Sequence, residues 1–248
     1  MNELYDLRRP LAILLVFLLG IITVSCQFSD ATVVRGDGSV TTATIHPSSF
    51  HAIDLQGVYN VYLSHGSRPS VIIETDGNLQ ELIKTKVDDH TLKIFTERDV
   101  MLRPTRLDVH ITYTELENIQ VGGACRIGAT ESIRTGNFSI EVNGAADIDL
   151  DISVRTMQTK ISGAGNIKLQ GEAEVHQAEL SGASNLRAED FITGNTYVSL
   201  SGTGSAHVYA SKLLDASISG IGKITYHGEP EEILMQKSGL GAIVPAGK

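Results

Sequence analysis

The stretch "ISGAGNIKL" at residues 161–169 returns as "LSGASNLRA" at 180–188, "LSGTGSAHV" at 200–208 and "ISGIGKITY" at 218–226. Each copy places a turn of small residues between two short apolar runs. With the Gly of each turn as anchor, copies centre on Gly123, Gly144, Gly163, Gly182, Gly202, Gly220 and Gly239, separated by 21, 19, 19, 20, 18 and 19 residues. Internal periodicity of this length is the signature of a solenoid. Two positions before the anchor stand Val121, Val142, Ile161, Leu180, Leu200 and Ile218. Four positions after it stand Ile127, Ile148, Ile167, Leu186, Ala206, Ile224 and Ile243.

Around these two aliphatic columns the pattern has period two. In "EVNGAADIDLDI" (141–152), Ile148, Leu150 and Ile152 alternate with Asp147, Asp149 and Asp151, which reads as strand with one face buried. Two strands and a turn do not close a 19-residue coil, so a third side is needed, and Phe138, Met157 and Leu214, each six before an anchor, supply its apolar residues. Coils stacked in register make parallel sheets. The expected fold is therefore all-β, a parallel β-helix of about 19 residues per coil.

The turn reads as scaffold. The two positions after the anchor are mostly small, as in Ala145 and Ala146, Ala164 and Gly165, or Ala183 and Ser184, as suits a sharp bend that can call on positive φ. Ser162, Ser181, Ser201, Ser219 and Ser238 precede the anchors. Such a column can hydrogen-bond from coil to coil, whereas nucleophilic catalysis needs a His and an Asp beside one serine, and neither recurs there. Cys125 falls in the small column after Gly123 and reads as an inert corner residue rather than a reactive thiol.

The 248 residues are 42% hydrophobic, with 24 Gly, no Trp and few aromatics, which suits thin layers and many turns better than a bulky helical core. Residues 1–26 carry Glu3, Asp6, Arg8 and Arg9, which cancel, so the net charge of −9 belongs to the remainder. An acidic chain is a poor binder of nucleic acid or anionic membranes. Residues 1–26 read as an export signal: Arg8 and Arg9, the apolar run 11–24, then "VSC" before Cys26. The run is too short to span a bilayer. "TVSC" resembles the lipobox of bacterial lipoproteins, with Thr23 where an aliphatic residue is usual, and makes Cys26 the expected lipid attachment site. Lipidation would leave Cys125 without a disulfide partner. "RRPLAILL" lacks the flanking pattern of a twin-arginine signal.

Residues 27–44 are polar, rich in Gly and Thr, and read as a flexible tether. They contain the tripeptide Arg35-Gly36-Asp37, an integrin-ligand sequence that chance also supplies. The domain proper is expected over 45–245, with irregular N-terminal coils over 45–115, a short helical turn at 78–83, and regular repeats over 116–245. Gly57 already fits the register, with Leu55 before it and Val61 after it. The segment "FHAIDLQGVYNVYLSHGSRPSVIIETDGNLQELIKTKVDDHTLKIF" followed by repeated "SGAG"-like turns resembles the head GIN domain family of exported bacterial adhesin-like proteins, common in Bacteroidetes. The likeness spans roughly residues 46–245. It implies a β-helical fold at the cell envelope and carries over no catalytic residues, since fold analogy is not function.

β-helices also serve as polysaccharide lyases and hydrolases, so Asp147, Asp149 and Asp151 are weighed as a carboxylate cluster. The register sets Asp149 beside Lys168 and then Arg187, and Asp147 beside Asn166 and Asn185, which explains the charges as cross-strand pairing. Catalytic carboxylates need distinct environments to separate their pKa values, which three Asp on an open face lack. His46, His51, His65, His90, His110, His176, His207 and His227 show no metal-ligand spacing, so they read as solvated or locally hydrogen-bonded. The expectation is a non-enzymatic, lipid-anchored protein of the cell envelope, in or on the outer membrane, without cofactor or metal. Its partners would be the membrane, through Cys26, and a glycan or surface protein. A carbohydrate-active enzyme of the same fold is the alternative.

Overall fold

The computed structural model describes residues 32–97 and 99–247. Residues 1–26, Cys26 among them, lie outside the described residues. The described residues are nearly all β and wind a parallel β-solenoid of about seven turns of ~19 residues. Strands Ile133–Val142, Ala145–Ile161, Ala164–Leu180 and Ala183–Leu200 pair parallel, each with the one a coil earlier. The pairings Ile148↔Ile167↔Leu186↔Ala206↔Ile224 reproduce the column four after the anchor, and all five side chains are buried. Alternation along the strands puts these residues inside, and the pleat does the rest.

The anchor glycines form a second column for a different reason than a left-handed turn. A Cβ on Gly123 would overlap the carbonyl oxygen of Gly57, and the same holds for Gly144 on Gly123, Gly163 on Gly144, Gly182 on Gly163, Gly202 on Gly182 and Gly220 on Gly202. Those carbonyls accept the amides of the next coil, as Gly163 does from Ala183 at 3.0 Å. None of these anchors has a positive φ, so close backbone approach alone requires glycine here. Gly57 therefore begins the column. In the serine column, the hydroxyls of Ser162 and Ser181 reach the coil below rather than another serine: Ser181 donates to the carbonyl of Ile161 at 3.3 Å and Ser162 to Oδ1 of Asn143 at 2.7 Å.

The third side is present, with Phe138, Met157 and Leu214 buried in one column. Between Met157 and Leu214 that column holds His176 and Thr196. His176 is not solvated. It is 1% exposed, lies 3.1 Å from the Thr159 hydroxyl and sits edge-on to Phe191, and burial pushes its pKa down to about 4.

At the N-terminal end, Ala52–Gln56 and Val58–His65 stack on Asn118–Val121 and Ala124–Ala129 to make the first coil. The intervening insertion caps it. Leu107–Tyr113 and Thr91–Thr96 continue the parallel stack, while Ser70–Asp76 and Ile83–Asp88 pair with them antiparallel. The expected helical turn is a 3-10 turn, Gly77–Leu82, which buries Leu79. The tether expected over 27–44 is corrected from residue 32 onward: Thr32–Arg35 is a strand, and Val40–Ile45 pairs antiparallel with Ser70–Asp76. Its β-branched "VTTATI" favours an edge strand despite its polarity. The Arg35-Gly36-Asp37 turn is pinned as well, because Asn78 donates to the carbonyl of Arg35 and Gly38 donates to the buried Asp76. Desolvation opposes the charge of Asp76, but the hydroxyl and amide of Thr105 and the amide of Gly38 hold its carboxyl below the usual carboxylate range.

At the C-terminal end the last strands are Glu232–Lys237, laid on Leu213–Ile218, and Ala242–Pro245, laid on Ile221–His227. No described strand covers the outer edge of either.

Candidate functional site

The first residue after each anchor Gly points outward. Val58, Ala124, Ala145, Ala164 and Ala183 are exposed and in register, so their side chains form a flat apolar shelf crossing the coils. Two residues further along each strand runs a polar row: Asn60, Arg126, Asp147, Asn166, Asn185 and Ser205. Three neighbouring pairs in it bind across the coils. Asn185 donates to Oδ1 of Asn166 at 3.0 Å, Ser205 donates to Asn185 at 3.0 Å, and Nε of Arg126 lies 3.4 Å from Asp147.

The loop Pro104–Arg106 of the N-terminal insertion rises beside this surface and turns it into an open groove of about 700 Å³. Arg106 is held there by Asp108 at 2.6 Å and Glu74 at 2.8 Å. Burial works against the charge of Asp108, but the Asn60 amide and Arg106 guanidinium outweigh it and hold the carboxyl below the usual range. A second cleft of about 290 Å³ continues from the groove, between Tyr62, which stacks on His110, and Asp149. Its floor is Gly128, where an added Cβ would meet nothing within 4 Å.

Of the residues singled out in the sequence, Asp147 and Asp149 line this surface and each meets a cation, Arg126 and Lys168 respectively, at 3.4 Å. Asp151 is exposed beyond them. The serine column lies off the groove. Cys125 is in its corner, 5% exposed, with burial pushing its thiol up to about 11, far from thiolate reactivity at neutral pH. Among the described residues no three His, Cys, Asp or Glu side chains are grouped to hold a metal ion. Arg106 and Tyr62 were not legible as site residues, since the fold, not the sequence, sets them beside Arg126 and Gly128.

Comparison with known proteins agrees with this architecture. A family model described as "Putative auto-transporter adhesin, head GIN domain" matches residues 49–230. The chain is similar to the crystal structure of a "putative adhesin" from Bacteroides fragilis NCTC 9343, with a TM-score of 0.80 at 21% identity, over 86% of this chain and 100% of that one. It is similar to a "Putative lipid binding protein" from Parabacteroides distasonis ATCC 8503, with a TM-score of 0.74 at 21% identity, covering 87% and 100%. A "putative adhesin" from Parabacteroides merdae ATCC 43184 gives 0.66 at 20% identity, covering 88% and 100%. No curated protein matches the chain. At such identities the likeness carries the fold.

Proposed function

Because this chain belongs to the head GIN domain family, we propose that it is a non-enzymatic binding module of the cell envelope whose ligand lies in the groove beside the Pro104–Arg106 loop and reaches into the adjoining cleft between Tyr62 and Asp149. The observation that carries this reading is the continuous polar row of Asn60, Arg126, Asp147, Asn166 and Asn185 alongside the alanine shelf. Donors and acceptors repeated at the strand spacing of about 4.8 Å suit a repeating, hydroxyl-rich chain, that is, a glycan. The groove carboxylates that meet Arg126 and Lys168 are steadied by cations rather than set in contrasting environments, which favours binding over acid–base chemistry.

The test uses Gly128→Trp. Its Cβ enters open space on an outward strand position, so stability should hold within about 1 kcal/mol. The indole would fill the cleft between Tyr62 and Asp149. On an array of envelope and host glycans, the parent should retain a defined subset and the variant should lose it by ~10-fold or more, about 1.4 kcal/mol. Unchanged retention in the variant, or release of cleaved glycan by the parent, contradicts the reading.

The module is anchored through Cys26 as a lipoprotein of the outer membrane, residues 1–26 being the signal and the following residues the link to the domain. "TVSC" and the apolar run before it support this. Among the described residues no helix is long and apolar enough to cross a membrane. Cys26→Ala should move the protein from the membrane fraction to the soluble envelope fraction. Identical partitioning of variant and parent with detergent rules lipidation out.

A further inference from the structure

The C-terminal end of the solenoid carries an edge that is complementary to itself. Glu232–Lys237 has in-register predecessors that are fully buried, Leu214, Ala216 and Ile218, so Ile233, Met235 and Lys237 occupy inward-facing positions with no described coil to cover them. Ile233 is 42% exposed, Leu234 46% and Met235 44%. The amides of Glu232 and Ser238 bond back to Lys212 and Ile218. By the alternation of a strand, Ile233, Met235 and Lys237 therefore turn their N–H and C=O groups to the open edge.

We propose that a second copy of this chain docks here end to end, with Glu232–Lys237 of each copy paired antiparallel about a two-fold axis. The axis must run through one residue set opposite its own counterpart. With Leu234 at the axis, Ile233 faces Met235 of the second copy and Met235 faces its Ile233, so both inward apolar positions continue across the junction. Glu231 then faces Lys237 of the second copy, and Lys237 faces its Glu231. Placing Met235 at the axis would set Ile233 against Lys237, and placing Ile233 there would set Met235 against Glu231. Only the Leu234 register matches apolar with apolar and charge with opposite charge, which is how charged pairs fix register. The edge-facing backbone groups of Ile233 and Met235 pair with each other in the same arrangement. Because the N-terminal end is capped by the insertion, this isologous contact closes at two copies and does not propagate into a fibre.

The test is site-directed cross-linking of the full chain. Leu234→Cys would stand opposite itself in a non-hydrogen-bonded pair, with Cα atoms ~4.5 Å apart, inside disulfide range. Under mild oxidation it should give a species of twice the mass on a non-reducing gel, above the parent, which carries the same Cys26 and Cys125. Gln236→Cys, which the register sets against Glu232, should not. In the Leu234→Cys chain, Lys237→Glu should cut the cross-linked yield by ~10-fold or more, since like charges meet twice, and adding Glu231→Lys should restore it. Glu231, Leu234, Gln236 and Lys237 are all exposed, so the fold stands in every variant. No doubled species from Leu234→Cys, equal cross-linking by Gln236→Cys, or failure of the double charge reversal to restore the yield would each overturn the proposal.

Discussion

Gly182→Ala should destabilise the protein by at least ~4 kcal/mol, and Gly182→Val by no less, although alanine is the smallest side chain that can be added. The added Cβ would occupy the place of the Gly163 carbonyl oxygen, and the carbonyl of Ser162 crowds it from behind. Relief requires the two coils to part. That breaks the bond from the amide of Ala183 to Gly163, and because Gly182 itself accepts from Thr203 at 3.0 Å, the disturbance passes to the coil above. Gly128→Ala is the control, since its Cβ meets open space. Thermal denaturation measures both. If Gly182→Ala melts within a degree or two of the parent, the coils do not approach as described, and the column is glycine for some other reason.

Ile167→Asp is the second large effect. Ile167 is 1% exposed, with Ile148 below it and Leu186 above. Removing its apolar volume costs about 2–5 kcal/mol, and an unpaired carboxylate adds several more, a total comparable to the whole stability of a domain. The neighbouring Lys168→Asp faces outward. It replaces an attraction to Asp149 with a repulsion on a solvated face, which costs ~1 kcal/mol or less. The two substitutions differ by one residue along the strand, so denaturant titration of both reads which face is inside. Equal losses would contradict the register.

The coils were legible because their cause is local. A glycine every 18–21 residues and aliphatic residues at fixed offsets from it specify both the bend and the inward face. The N-terminal cap was less legible. Val40–Ile45 acquires its partner in Ser70–Asp76, and its "VTTATI" shows no apolar alternation to announce a strand. The groove was hidden in two ways. Ala124, Ala145, Ala164 and Ala183 are small enough to be read as bend residues when they also form a shelf, and Arg106 arrives from an insertion whose position only the fold supplies. His176 and Thr196 show a third limit: period two reports which way a side chain faces, not whether a polar one will find a partner inside.

The constant spacing of the pairings has a kinetic consequence. Once Gly57's coil has closed against its insertion, every later strand needs a partner only one coil back, as Ala164–Leu180 needs Ala145–Ile161 and Ala183–Leu200 needs Ala164–Leu180. The loop to be closed at each step is the same and short, so its entropic cost does not grow as the chain lengthens. A polypeptide made N-terminus first can therefore grow its solenoid by accretion, each finished coil serving as the template for the next ~19 residues to emerge. The slow event is confined to the start, where Val58–His65 must wait for Ala124–Ala129, and the order of assembly is written into the direction of synthesis.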